Sequence, residues 1–156
     1  MLFRSILLGA IYGPNNNDVA WYRQLKAHVD RLKLPIILGG DFNTILDTRV
    51  RGNIDREGAL RGENIPNKDN STFINNWLGE GNICDPFRVK FPNERETSYE
   101  SFRADRTIIK NRLDFFLISV NLVKRLRNIT YEEKLGKDFD HKGIKLELGG
   151  KTGLRK

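Results

Sequence analysis

The sequence predicts an α/β fold: two β-sheets packed face to face as a sandwich, with helices on the outside. Three observations predict it. A strand–helix–strand unit opens the chain over residues 5–12, 18–33 and 36–38. Beyond that unit the chain consists mostly of short strand-like runs separated by turn residues. Finally, the apolar run Pro35-Ile36-Ile37-Leu38 ends abruptly in Gly39-Gly40-Asp41-Phe42-Asn43. A buried strand of an open α/β sheet delivers reactive groups to its C-terminal edge in this way. At 156 residues the chain suits one domain.

Residues 5–12 are apolar on both faces, the pattern of a central strand, and Gly13-Pro14-Asn15-Asn16-Asn17 ends it. Residues 1–10 resemble a leader peptide only superficially. Arg4 sits inside the apolar segment, and the pattern runs straight into Tyr12-Gly13-Pro14, so the stretch reads as a strand. Asp18 can cap a helix on which Trp21, Tyr22, Leu25, Val29 and Leu32 recur at helical spacing. Pro35 ends that helix, and the strands on either side of it should be parallel. Residues 44–68 are polar and rich in Gly and Arg, and read as a long functional loop. Asn70 or Ser71 can cap a second helix carrying Phe73, Ile74, Trp77 and Leu78, closed by Gly79 and Gly81. Residues 83–91 and 97–102 read as strands, 103–110 as a hairpin-like segment, and 113–118 as a strong strand. Ser119 can cap a short helix through Leu122 and Leu126, and 129–131 is a further strand. Ile144, Leu146 and Leu148 alternate with Lys145 and Glu147, the signature of a half-exposed terminal strand. The domain then spans 1–148, and 149–156 forms a basic tail.

Net charge is +7, with 30% charged and 38% hydrophobic residues. That excess favours a polyanionic partner, nucleic acid first. The single Cys84 forbids an internal disulfide, and one Cys with two His argues against a structural zinc site. The chain suits a reducing, intracellular compartment, nuclear or cytoplasmic. Cys84 reads as a small core residue rather than a nucleophile. No apolar stretch approaches the roughly 20 residues of a membrane span.

Phosphodiester hydrolysis needs a group to orient or deprotonate water, cations or strong donors for the charge on phosphorus, and help for the leaving oxygen. Asp41 and Asn43 lie two apart, so along an extended strand both point to one side. Asp114 interrupts the apolar strand 113–118, and a carboxylate there needs a partner. His141, after Asp140 and before a strand, supplies a suitable imidazole, whereas His28 reads as a helix-surface residue. Tyr12 ends the first strand, where its phenol can donate to a phosphate. Asp41, Asn43, Asp114 and His141 should therefore converge on one sheet edge, with Asp114 and His141 within hydrogen-bond reach. Arg103, Arg106, Lys110, Asn111 and Arg112 cluster just before the strand of Asp114, as candidates for DNA contact.

Ile11-Tyr12-Gly13-Pro14-Asn15, Gly39-Gly40-Asp41-Phe42-Asn43, Arg112-Leu113-Asp114-Phe115-Phe116-Leu117-Ile118-Ser119 and Asp140-His141 occur in that order. Together they resemble the endonuclease/exonuclease/phosphatase superfamily, and most closely the apurinic-like endonuclease domain of LINE-type (non-LTR) retrotransposons. The likeness extends to Ile45-Leu46-Asp47 with Asp55-Arg56 and to Cys84-Asp85-Pro86-Phe87-Arg88. It continues in Phe91-Pro92-Asn93-Glu94-Arg95-Glu96-Thr97-Ser98-Tyr99 and in Asn111-Arg112-Leu113-Asp114, covering nearly the whole chain from Ile6 to about Leu148.

The resemblance implies a DNase I-like four-layer fold and hydrolysis of DNA phosphodiesters with Mg²⁺ or Mn²⁺. It implies that Asp41 and Asn43 orient the attacking water and contact the phosphate. It places His141 on the scissile phosphate, held by Asp114, with Asp140 and Asp41 at the metal. It puts a polar group such as Tyr12 at the site and the hairpin-like segment at 103–110 in the minor groove. The implied partners are DNA and a reverse transcriptase in the same polyprotein. Two departures stand out. Phe139 replaces the Ser of the family's Ser-Asp-His triplet. The family's N-terminal strands, with an Asn and a Gln-Glu pair at the metal, have no counterpart before Ile6. The implied domain is thus truncated at its N-terminus, with an incomplete metal shell and weak or no activity alone. Two alternatives accompany it: a non-catalytic nucleic-acid-binding remnant of a retroelement, and a phosphomonoesterase of the same superfamily.

Overall fold

In the computed structural model, which describes residues 5–47, 54–58, 64–134, 136 and 139–150, the strand–helix–strand unit forms as its pattern predicts. Leu7–Tyr12 (β1) and Ile36–Asp41 (β2) pair in parallel, joined by the helix Val19–Leu32 (α1). Asp18 caps α1, accepting the Trp21 N–H at 3.1 Å. Lys33 ends it at φ 51°, and the chain turns into Pro35. Then come Arg56–Glu57 (β3), Lys68–Gly79 (α2), Ile83–Cys84 (β4) and Pro86–Lys90 (α3). Next are Tyr99–Phe102 (β5), Ile108–Asn111 (β6) and Asp114–Ser119 (β7) and, after a 3₁₀ turn at Val120–Arg125, Leu126–Glu132 (β8) and Gly143–Leu148 (β9).

Among the described residues the strands form a four-stranded sheet in the order β1-β2-β7-β4, a three-stranded sheet β3-β6-β5 and the pair β8-β9. The α/β class holds, but the strands outside the first sheet divide between two smaller ones. The division arises where β6 gives way to β7. Arg112 turns inward, its N–H donating to the Asp55 carbonyl at 2.8 Å, while the Leu113 carbonyl accepts the Phe42 N–H at 2.9 Å. Helices α1 and α2 cover one face of the first sheet. Tyr22, Val29, Ile74 and Trp77 there meet Ile36, Leu38, Phe115 and Leu117. Phe42 stacks on Phe115 with ring centroids 4.1 Å apart.

Four sequence expectations need correction. β1 is an edge strand of the first sheet, not a central one. Leu7 and Ile11 pack on the core, while Leu8 and Tyr12 are 71% and 78% exposed. One face of β1 packs on the core and the other lies open among the described residues, so apolar side chains on both faces do not mark burial on both. Residues 83–91 are a strand only over Ile83–Cys84; Asp85 then caps α3, accepting the Phe87 N–H at 2.9 Å, with Pro86 in the first turn. Helix α2 starts at Lys68, after Asn67 at φ 53°, rather than at Asn70 or Ser71. Those two side chains are buried cross-links instead: Asn70 donates to the Asn16 carbonyl at 2.9 Å and Ser71 to the Ile45 carbonyl at 2.5 Å. Ser119 caps nothing with its side chain, because its hydroxyl accepts the Ile36 N–H at 2.9 Å.

The loop predicted over 44–68 contains β3, and its residues 48–53 and 59–63 lie outside the described residues, as do 1–4 and the tail from 151 to 156. Cys84 is partly buried, and burial pushes its thiol up to about 11, as suits an inert packing residue. Among the described residues no helix is long and apolar enough to cross a membrane.

Candidate active site

The site lies where β1, β2 and β7 end together. Gly40 sits at φ 141°, and a Cβ there would strike the Ile11 carbonyl oxygen. A Cβ on Gly13 would strike the Tyr22 hydroxyl and the Phe42 carbonyl, which are hydrogen-bonded to one another. The two glycines let the end of β1 close onto β2, with Asp41 at the rim.

Asp41 and Asn43 meet through a turn rather than along one extended strand. Asn43 adopts φ 48°, its N–H donates to Asp41 Oδ1 at 2.7 Å, and its Nδ2 donates to the Gly13 carbonyl at 2.8 Å. The side chain of Asn43 therefore holds the turn that aims Asp41. Asn67 secures the same turn from α2, donating to the Asn43 carbonyl at 2.8 Å.

Asp41 pairs in register with Asp114 across β2 and β7. His141 Nδ1 lies 2.7 Å from Asp114 Oδ2, and its Nε2 lies 4.0 Å from Asp41 Oδ2. The expected convergence of Asp41, Asn43, Asp114 and His141 at one edge is therefore found. A cavity of about 520 Å³ opens over them, lined also by Tyr12, Asn15, Tyr99, Leu113 and Asp140. Tyr99 escapes the sequence reading: its ring lies 4.8 Å from that of His141 and its backbone bridges to it. An aromatic in a short strand carries no local sign of facing a site.

Burial raises the pKa of Asp41; the Asn43 N–H opposes this, the charge of Asp114 adds to it, and His141 opposes and Asp140 adds in turn. Folding thus favours protonated Asp41. That contribution is full below the ordinary value of 3.8 and is lost as pH rises through the folded value. At neutral pH the ionised carboxylate opposes folding. Asp41→Asn, which keeps an acceptor for the Asn43 N–H, should raise Tm at pH 7. Thermal melts at pH 7 and near pH 3 check this; the gain should shrink at the lower pH.

Asp41, Asp114 and His141 each offer one ligand atom, all within 4.8 Å of one another. Two carboxylate oxygens and an imidazole nitrogen fit Mn²⁺, and Mg²⁺ through the carboxylates, with water and substrate phosphate completing the shell. Asp140 lines the same cavity, but this three-donor group forms without it.

The basic segment divides. Arg103 and Arg106 flank the β5–β6 turn, with Arg106 exposed at φ 67°, and Lys110 pairs with Glu100 at 3.5 Å. Asn111 and Arg112 do not face solvent. Arg112 is 0% exposed, its Nε donating to Asp55 Oδ1 at 2.6 Å and its Nη2 to Asp85 Oδ2 at 2.5 Å. Asn111 is buried beside it. These two leave the set of candidate DNA contacts. The partners of Arg112 stand 57 and 27 residues away in sequence, so no local signal separates it from its exposed neighbours.

No protein-family model and no curated sequence matches the chain. Solved structures do. A 3'-5' exonuclease from Neisseria meningitidis is similar with a TM-score of 0.73 at 16% identity, over 89% of this chain and 59% of its own. A 3' phosphatase from Neisseria, bound to a product DNA hairpin, gives 0.70 at 16% identity, over 90% and 60%. An AP endonuclease from Leishmania major gives 0.59 at 20% identity, over 72% and 34%. The chain thus spans 60% or less of the length of each. Likeness at such identity speaks to architecture, and the architecture of this chain is the DNase I-like α/β fold of these nucleases and phosphatases.

Proposed function

We propose that this chain carries the phosphoester-hydrolysing edge of a LINE-type endonuclease domain, formed by Asp41, Asn43, Asp114 and His141 and served by Mg²⁺ or Mn²⁺, with weak or no turnover of DNA alone. One observation carries the reading. The Asp114–His141 hydrogen bond of 2.7 Å stands beside Asp41 in an open cavity, in a chain of net charge +7. With Nδ1–H donating to Asp114, His141 in its imidazolium form turns Nε2–H toward the cavity, where it donates to a phosphoryl oxygen and balances the charge that develops there. Asp41 accepts a proton from the attacking water or orients it. Asn43 keeps that carboxylate aimed, and Tyr12, exposed at the rim, can donate to the phosphate. A divalent cation held through the carboxylates of Asp41 and Asp114 would neutralise charge on the phosphate and the leaving oxygen, with His141 Nε2 left to the phosphate.

The LINE-type assignment rests on motif order in the sequence. With it go the reverse transcriptase in the same polyprotein, a nuclear or cytoplasmic setting, and the division into a domain at 1–148 with a basic tail. A second reading, removal of a 3'-phosphate from DNA, draws on the Neisseria 3' phosphatase with its product hairpin. The same donors serve a monoester. One assay separates the readings: purified chain with supercoiled plasmid and with a 3'-phosphorylated hairpin, in Mg²⁺ or Mn²⁺ and then in EDTA. EDTA-sensitive nicking supports the endonuclease, and phosphate release supports the phosphatase. DNA binding with neither product supports the non-catalytic reading, and absence of all three rejects a DNA-directed role.

The β5–β6 turn is the proposed DNA reader. Arg103→Ala with Arg106→Ala should weaken binding and flatten the log K against log salt slope by about 2, since two phosphate contacts release that many fewer counterions. Binding isotherms at several salt concentrations check it. An unchanged slope assigns the turn to ordinary surface.

A further inference from the structure

The geometry of the Asp114–His141 pair depends on two chain segments that meet at one buried serine. Ser98, 1% exposed, precedes β5. Its hydroxyl oxygen accepts the N–H of Leu113 at 3.0 Å and of Asp114 at 2.9 Å. Its own N–H donates to the Asn111 carbonyl at 2.9 Å, and its carbonyl accepts the Lys142 N–H at 2.8 Å. The next residue, Tyr99, makes a single antiparallel bridge to His141. One residue therefore grips the entry to β7 with its side chain and the His141 segment with its main chain.

Among the described residues, few other ties set the separation of these segments. Asp114 is also held by β2–β7 pairing and by the Tyr131 hydroxyl, which donates to its carbonyl at 2.6 Å. Neither of those reaches His141, which precedes β9 and joins β5 through the one bridge. A hydroxyl oxygen has two lone pairs and can serve two N–H groups at once. Alanine would leave both of them without that acceptor, and the start of β7 would shift to find another.

We propose that Ser98 is a positioning residue that sets the Asp114–His141 hydrogen bond; its kinetic consequence rests on the hydrolytic reading above, its structural one does not. The test uses the full chain with Ser98→Ala and Ser98→Thr, each checked for folding by circular dichroism. The first readout is the imidazole ¹⁵N pattern of His141 at alkaline pH, which distinguishes the Nδ1–H tautomer that donates to Asp114 from the Nε2–H tautomer. The second is kcat and KM on whichever DNA substrate the wild type turns over.

Wild type should show the Nδ1–H tautomer. Ser98→Ala should shift it toward Nε2–H and lower kcat by about 10–100-fold, with KM changed less than about twofold, as expected of a misplaced rather than a missing group. Ser98→Thr, which keeps the hydroxyl, should restore both. Should Ser98→Ala not fold, Ser98→Cys, whose sulfur accepts weakly, carries the same test. A folded variant with the wild-type tautomer overturns the proposal, whether its rate is normal or reduced, because Ser98 then acts through stability or through another group. A tautomer shift in a chain that turns over no DNA substrate supports the positioning role and rejects the hydrolytic reading.

Discussion

His141→Ala is expected to lower phosphoester turnover by about a hundredfold or more, as removal of one transition-state donor does in comparable sites. The effect should fall on kcat. His141 is 30% exposed in its side chain, and its Nε2 points to the cavity beside Asp41 rather than into the core. Its removal takes away a donor that strengthens as charge builds on the phosphoryl oxygens. Asp114, only 11% exposed in its side chain, would lose its partner, so a small fall in Tm should accompany the loss of rate without unfolding. Asp41→Ala should reduce turnover as severely while sparing stability, since its ionised carboxylate opposes folding at neutral pH. Parallel measurements of turnover and thermal melting decide the matter. A wild-type rate in either variant removes that residue from the mechanism, and cleavage that survives both belongs to another protein in the preparation.

Arg112→Ala should cost about 3–5 kcal/mol of stability, as loss of one member of a buried charge network does. Typical domains have only about 5–15 kcal/mol in all. Asp55 and Asp85 are 0% and 4% exposed, and each gives a carboxylate oxygen to the Arg112 guanidinium. Burial by itself would lower the pKa of Arg112, but Asp85, then Tyr131 and Asp55, outweigh it and hold the group well above its ordinary value. The guanidinium therefore stays charged, and its removal strands negative charge in the core. Arg88 also pairs with Asp55, which leaves Asp85 the more exposed to the loss. Arg112→Lys should rescue little, because one ammonium cannot reproduce the fork that reaches both carboxylates. Urea unfolding checks this, with a lower midpoint at constant slope as the expected result. A variant with wild-type stability and weakened DNA binding would return Arg112 to the nucleic-acid surface.

The contrast between these two residues shows where sequence reading succeeds. His141 is legible because Asp114 interrupts an apolar strand, and a buried carboxylate demands a partner that the chain offers in few places. Arg112, two positions before Asp114, reads like the arginines of the adjacent turn, since nothing nearby in sequence announces Asp55 and Asp85. Likewise Asp18 is recognisable as a cap, because capping is an interaction over three residues, and the parallel pairing of β1 with β2 results from the helix between them.

Local periodicity, caps and turn residues therefore determined the class of the fold and its first structural unit. The need of an in-strand carboxylate for a partner pointed from Asp114 to His141, whereas Asp41 and Asn43 stood out as site candidates through the resemblance carried by motif order. Class and unit rest on spacings of a few residues, and the pairing on the demands of a polar group in an apolar run. Long-range packing determined the rest: that β1 stands at an edge, that Asn43 turns back to hold Gly13 and Asp41, that Arg112 is core, and that Ser98 joins the two halves of the site. Hydrogen bonds across tens of residues exist only once the strands have chosen their neighbours, and that choice depends on the energy of the assembled sheets rather than on any one segment of the chain.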